Sequence, residues 1–430
     1  MRFAVMPAAL AAALLLCGPA WAQPAPAGTG PSPALPKPDP AAAASRFSRV
    51  VGWPEGRTPT APAGFKAAAF ARGLDSPRWL HVLPNGDVLV AEARSLPRST
   101  DEADKHRGMV AGGSVGVSPN RVVLLRDADR DGVAEARHVL LDNLNQPFGM
   151  ALLGEHLYVA NTDGLMRFPF TPGQTSIDAP GQLVLKLPSG GYNNHWTRNV
   201  IASPDGRKLY VSVGSSSNVG ENGTEAESRR ANVLQVNPDG SGEKVFAAGL
   251  RNPVGLAWEP ATGALWAAVN ERDGLGDDLV PDYITSVRED GFYGWPYSYY
   301  GRNEDPRITG RPDLVARALA PDYALGAHTA SLGLAFATGQ GLPERYRGGA
   351  FVAQRGSWNR SEFSGYKVVF VPFRDGKPAG PPEEFLTGFM ADGASGEAHG
   401  RPVGVAQMPD GALLVSDDAG NTVWRVAPAR

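Results

Sequence analysis

A chain of 430 residues with 41 basic and 44 acidic side chains carries almost no net charge. Its Lys and Arg gather into no stripe or block, which removes nucleic acid from the expected partners. Cys17 is the only cysteine, which excludes a disulfide framework and leaves a large core or bound ligands to hold the fold together.

Arg2 opens a short basic end, Ala8 to Leu16 is an unbroken apolar run, and Ala20-Trp21-Ala22 forms a small–x–small cleavage pattern before Gln23. This predicts a signal peptide over residues 1–22 and a periplasmic or secreted protein. The apolar run is about half of the ~20 residues that a membrane span needs, so no transmembrane segment is expected. Leu16, directly before Cys17, is too large for a lipoprotein site. Residues 23–45 are rich in Pro and Ala and read as a flexible leader, with ordered structure expected from near Phe65.

From there two patterns recur six times in the same order. One is a tight turn followed by a strand, as in LPNGDVLVAE (Leu83 to Glu92), SPDGRKLYVSVG (Ser203 to Gly214) and MPDGALLVSD (Met408 to Asp417). Its turn glycines are Gly86, Gly154, Gly206, Gly263, Gly349 and Gly411. The other pattern precedes each turn and has a core of small residues: QPFGMA from Gln146, NPVGLA from Asn252, SLGLA from Ser331 and RPVGVA from Arg401. SPRWLH from Ser76 and TRNVIA from Thr197 are its degenerate first and third copies. Small residues let strands crowd together, as inner strands do around a propeller axis. The reading is all-β, a six-bladed β-propeller over residues 64–430 with long loops on one face. A pair of β-sandwiches is the competing all-β arrangement, and no dinucleotide-type Gly motif opens a helix. The mean repeat of ~65 residues exceeds that of compact blades, so loops hold the surplus, above all between Gly263 and Gly349.

Residues just before the small-residue cores should share one cavity: Asp75, Ser76, Gln146, Asn194, His195, Arg251, Asn252, His328, His399 and Arg401. Such a ring of cations, imidazoles and carboxamides suits an anion that also bears carbonyl groups. His195, in GGYNNHWTRN, is the candidate general base. Asn270 to Tyr283 (NERDGLGDDLVPDY) can fold oxygens around Ca²⁺ or be a solvated acidic loop. Asp127 to Glu135 (DADRDGVAE) resembles the start of a calcium loop but lacks the last acidic ligand, and reads better as a hairpin turn. In QRGSWNR, Arg355 and Arg360 are placed to meet carboxylates, while Trp358 either stacks on a planar ring or packs between blades.

The combination of HWTRNVIASPDGRKLYVSVGS, GLRNPVGLAW, the acidic loop with GFYGWPYSYYG, and GSWNR resembles the soluble glucose/sorbosone dehydrogenases, nearest their sorbosone-dehydrogenase-like branch. These enzymes bind pyrroloquinoline quinone (PQQ) and Ca²⁺ on a six-bladed propeller. The resemblance implies oxidation of a sugar or sugar-derived aldehyde, with electrons leaving to a separate acceptor. It makes His195 the general base, sets Arg251 and Asn252 on the quinone carbonyls, and gives Gln146 and Arg401 cofactor contacts. His399 stands at a second cationic position, and Arg355 or Arg360 replaces a cofactor lysine. The metal loop falls at Arg272 and Asp273, where Asn270-Glu271-Arg272-Asp273 replaces the family's Glu-His-Gly-Pro, so side chains such as that of Asp277 join the expected ligands. A Ca²⁺-dependent propeller lactonase and a non-catalytic binding propeller are the alternatives.

Overall fold

The computed structural model describes residues 27–97, 103–339 and 341–429. The expected signal peptide lies outside the described residues. Among these, no helix is long and apolar enough to cross a membrane. The α-helices are short, Ala103–Ala111 and Pro312–Arg317, and the rest is strand and loop.

Six sheets of four or five strands, antiparallel but for the edge strand Gly291–Phe292 of the third, carry the chain in sequence order. Their first strands are Pro77–Val82, Met150–Leu153, Arg198–Ala202, Pro253–Trp258, Ser331–Phe336 and Pro402–Gln407. Each first strand contacts the first strand of the next sheet, and the sixth contacts the first, so the array closes into a ring. The glycines of the small-residue cores explain the close approach. A Cβ at Gly149 would lie 2.5 Å from Asn199 Cα in the next sheet, at Gly255 2.5 Å from Leu332 O, and at Gly333 2.4 Å from Val403 O.

The second strands, such as Val88–Glu92 and Leu209–Val213, are buried along their whole length. They have a neighbouring strand on each side and packed sheets on both faces, so they read as continuous apolar runs instead of alternating ones. The turn before them has the expected positive φ at Gly86, Gly154, Gly206, Gly263 and Gly411; in the fifth copy Gly348, not Gly349, takes it. The long Gly263–Gly349 interval inserts its extra strands and the helix Pro312–Arg317 between the third and fourth strands of the fourth sheet.

The start of ordered structure differs from the expectation. From Ala27 onward the chain already lies against the sheets. Thr29–Gly30 adds an edge strand beside Leu325 and Ala324, Asp39 N donates to Leu275 O at 2.9 Å, and Arg46 N donates to Trp358 O at 2.8 Å. A Pro-rich extended chain buries little side-chain surface, but its backbone pairs with a sheet edge at Thr29–Gly30 and with loop carbonyls further on, which composition does not reveal.

Closure of the ring uses both ends of the fold. Phe65–Arg72 pairs antiparallel with Thr422–Pro428, completing the sixth sheet. Trp424 is fully buried there, meets Trp53 edge-on at 5.0 Å, and donates from Nε1 to Asp417 Oδ2 at 3.2 Å. Trp424→Ala is expected to cost about 3–5 kcal/mol of stability. Denaturant unfolding followed by circular dichroism measures this, and a loss below about 1 kcal/mol would remove Trp424 from the closure.

Candidate active site

A cavity of about 410 Å³ opens where the first strands begin. It is lined by Arg78 of the first sheet, His195 and Trp196 before the third, Arg251 and Asn252 before the fourth, His328 before the fifth and Arg401 before the sixth. Phe47 and Trp358 stack at its rim, ring centroids 5.5 Å apart and planes 15° from parallel, with Lys105 Nζ 5.0 Å from the Trp358 ring. Trp358 therefore lines the cavity.

At one end of the cavity two guanidinium groups share one carboxylate, with a third guanidinium beside them. Arg78 Nη1 donates to Asp418 Oδ2, and Arg355 Nε donates to the same oxygen at 2.8 Å. Arg401 is buried, with Nη2 donating to Gly356 O at 2.8 Å and Nη1 to Ser114 Oγ at 3.1 Å. Arg78 Nε and Asp418 Oδ1 are buried with no hydrogen-bond partner in the protein. Burial pulls the Arg78 guanidinium down to about 10; Asp418 opposes this, while Arg355 and Arg401 add to it. Arg401 is lowered by burial and then by Arg355. An anion entering here meets excess positive charge that the protein leaves uncompensated.

His195 is half-buried and its tautomer is set by its surroundings. Nδ1 lies 3.0 Å from Ser215 O and 2.9 Å from Ser215 Oγ, and that hydroxyl donates its own proton to Ser217 O at 2.6 Å. Both groups facing Nδ1 are thus acceptors, so Nδ1 carries the proton and Nε2 is the basic nitrogen. Asn194 Nδ2 stands 3.3 Å from Nε2.

Arg251 is buried and largely committed to the protein. Its Nε donates to Asn218 O at 3.0 Å, Nη2 to Asn218 Oδ1 at 2.8 Å, and Nη1 to Glu271 O at 2.7 Å and Asn270 O at 3.3 Å. Asn252 beside it keeps a buried Oδ1 without a partner. Asp282 fixes the turn that follows: it accepts from Glu271 N and Ser331 N, each at 2.8 Å, and from Thr329 Oγ1 at 2.9 Å. Burial lifts its carboxyl to about 6 despite these donors. Burial would also raise Asp273, but His328 and Arg251 outweigh it and hold its carboxyl below the usual range.

Of the residues expected at the site, the cavity gathers Asn194, His195, Arg251, Asn252, Asp273, His328, Arg355 and Arg401. It does not gather the others. Gln146 turns away, donating from Nε2 to Arg94 O at 2.7 Å. His399 lies against Trp53, its Nδ1 2.8 Å from Gly52 O. Arg360 borders a different cavity and pairs with Asp278 at 2.8 Å. Asp277 receives Ser361, and Arg272 is fully buried between Glu271 at 3.0 Å and Asp305 at 3.3 Å. The expected metal ligands Arg272, Asp273 and Asp277 are each paired with an internal partner, and among the described residues neither Asp273 nor Asp277 belongs to a convergent group of acidic side chains. Among the described residues, the convergent carboxylates are those of Asp127, Asp129, Asp131 and Glu135, with ligand atoms within 4.8 Å of one another. They sit in the hairpin between Arg121–Arg126 and Ala136–Leu141, which is a turn as expected and is not part of the cavity wall.

Arg78 and Asp418 are the members that sequence reasoning missed. Arg78 hides in the degenerate copy SPRWLH, and its charge at a core position was the available signal.

Residues 59–285 and 314–429 match one family along most of the chain. The chain belongs to the TrAA12-like family. A curated relative, the pyrroloquinoline quinone-dependent pyranose dehydrogenase of Coprinopsis cinerea, is 25% identical over 425 aligned positions, covering 84% of this chain. The chain spans about half the length of that relative, 53%. The holo form of the PQQ domain of a Coprinopsis cinerea pyranose dehydrogenase superposes with a TM-score of 0.69 at 21% identity, covering 89% of this chain and 100% of that one. A calcium structure of the Trichoderma reesei family AA12 enzyme gives 0.69 at 19% identity, covering 86% and 97%. The TrAA12-like membership agrees with the dehydrogenase resemblance drawn from the sequence motifs, and the solved neighbours share the fold.

Removal of the shared carboxylate tests the cluster. Asp418→Ala is expected to destabilise the protein by about 3–5 kcal/mol, because it leaves buried guanidinium groups unpaired. Sulfate should raise the melting temperature of the variant more than chloride at equal ionic strength. A variant as stable as the wild type would show that the three cations do not depend on Asp418.

Proposed function

We propose that the chain is a PQQ-dependent dehydrogenase of pyranose or aldose sugars, that its six sheets are the blades of a six-bladed β-propeller, and that it works after export, in the periplasm or outside the cell. The observation that carries the proposal is the pair Arg78 and Arg355 on the Asp418 carboxylate with Arg401 beside them, in the same cavity as His195. PQQ bears three carboxylates on a planar ring system. The donor set suits it: the three arginines would meet its carboxylates, and Asn252, with an unpartnered buried Oδ1, would meet a donor on it. Bound there, the quinone would supply the two-electron oxidant for the sugar carbon.

The chain supplies the proton chemistry. His195 Nε2 takes the proton of the hydroxyl whose carbon is oxidised, while Ser215 O and Oγ keep the Nδ1 proton in place. The resulting imidazolium faces acceptors on its Nδ1 side, which favours its charge. An aldose hemiacetal would leave as the lactone; the hydrate of a sorbosone-type aldehyde offers the same O–H and C–H pair. Phe47 and Trp358 give the rim a flat apolar surface of the kind on which a sugar ring stacks. The electrons pass on to a separate acceptor. A calcium lactonase would need convergent oxygen ligands in the cavity, and among the described residues the convergent acidic group lies outside it, in the Asp127–Glu135 hairpin.

The apoprotein is expected to bind PQQ more weakly as salt rises, and Arg401→Ala to lose about 1.5–3 kcal/mol of that binding. His195→Ala should keep the fold and the bound cofactor but lose turnover by roughly 10²–10⁴-fold, in kcat and kcat/KM alike. The rise of activity with pH as the imidazole deprotonates should vanish with it. Calorimetry without PQQ binding would overturn the proposal, and a folded variant with wild-type kcat would take His195 out of the reaction.

A further inference from the structure

This inference rests on the proposal that an anionic quinone occupies the cavity. The turn Asn270–Asp273 leaves the second strand of the fourth sheet and reaches the cavity wall. Its backbone carbonyls meet positive charge, as they would around a metal ion, but that charge comes from side chains of the chain itself. Arg251 Nη1 donates to Asn270 O at 3.3 Å and to Glu271 O at 2.7 Å. Arg307 Nη1 donates to Asp273 O at 2.6 Å, and Asn218 Nδ2 donates to the same oxygen at 3.1 Å, so both lone pairs of that carbonyl are in use.

Both arginines are held by further partners, Arg251 in the interior and Arg307 at the surface. Arg251 is buried and clamped by the backbone and side-chain oxygens of Asn218 at 3.0 and 2.8 Å. Arg307 is gripped by both oxygens of Asp305, Nε to Oδ1 at 2.9 Å and Nη2 to Oδ2 at 2.8 Å. Gly274, at φ +85°, leaves the space that Arg307 fills: a Cβ there would stand 2.9 Å from Nη1. Calcium requires about six to eight oxygens at 2.3–2.6 Å. To gain Asp273 O it would have to displace Arg307 or Asn218, and to reach Glu271 O it would have to stand beside the buried Arg251 guanidinium.

We propose that the guanidinium groups of Arg251 and Arg307 take the electrostatic place of a divalent cation at this turn, so that the chain binds its anionic quinone without calcium at the cavity. A guanidinium is planar, permanently charged and covalently tethered, so no chelator removes it.

The test is titration of the apoprotein with PQQ, followed by quenching of tryptophan fluorescence, once in excess EGTA and once in excess calcium. The expected result is one dissociation constant for both, within about twofold. The Asp131→Asn variant is carried through the same pair of titrations, because calcium at the Asp127–Glu135 hairpin would act on the fold from outside the cavity. A calcium effect present in the wild type and absent from that variant leaves the proposal standing. Binding that weakens about tenfold or more in EGTA in both proteins overturns it. Arg307→Met, checked for a wild-type melting transition, should bind PQQ more weakly in EGTA than the wild type; equal binding removes Arg307 from the role. Absence of PQQ binding in every condition would instead remove the dehydrogenase reading itself.

Discussion

Arg78, Arg355 and Arg401 are brought together although like charges repel, and burial makes the repulsion worse. They come from the first, fifth and sixth sheets, so opening of the ring would part them. The cores between sheets and the closing pairing of Phe65–Arg72 with Thr422–Pro428 resist that opening. Stability stored in apolar packing is thereby converted into a fixed patch of positive charge, and an anion is what relieves it.

The opposite wall uses the same residue type for another purpose. Arg251 and Arg307 bind backbone carbonyls and shape the turn at Asn270–Asp273, and Asn218 links them. Its carbonyl also accepts from Trp295 Nε1 at 3.0 Å, and its Oδ1 from Asp273 N at 3.0 Å. His195 lines the same cavity in a defined tautomer.

The repeats made the ring of sheets legible, because a strand buried on both faces and a glycine facing the next strand both leave marks in sequence. Residues directly before each first strand were legible for the same reason, and His195, Arg251, Asn252 and Arg401 line the cavity as their positions implied. Gln146 holds an equivalent position, yet a positive φ and its bond to Arg94 O turn it elsewhere. Asp418 and Arg78 escaped notice because the pair joins positions 340 residues apart. The metal loop misled for a related reason: Asp277 and Arg272 look like ligands until Ser361, Glu271 and Asp305 are seen to hold them. The Pro-rich leader was undervalued because its contacts are made by backbone, to which composition is blind.

The account turns on what the cationic end of the cavity is built to hold. Crystals of the protein grown with PQQ measure that directly. The expected result is quinone density in the cavity, with carboxylate oxygens within hydrogen-bond distance of Arg78, Arg355 and Arg401 and the quinone carbonyls toward Arg251 and His195. A quinone bound elsewhere, or a cavity that excludes it at saturating concentration, would contradict the account.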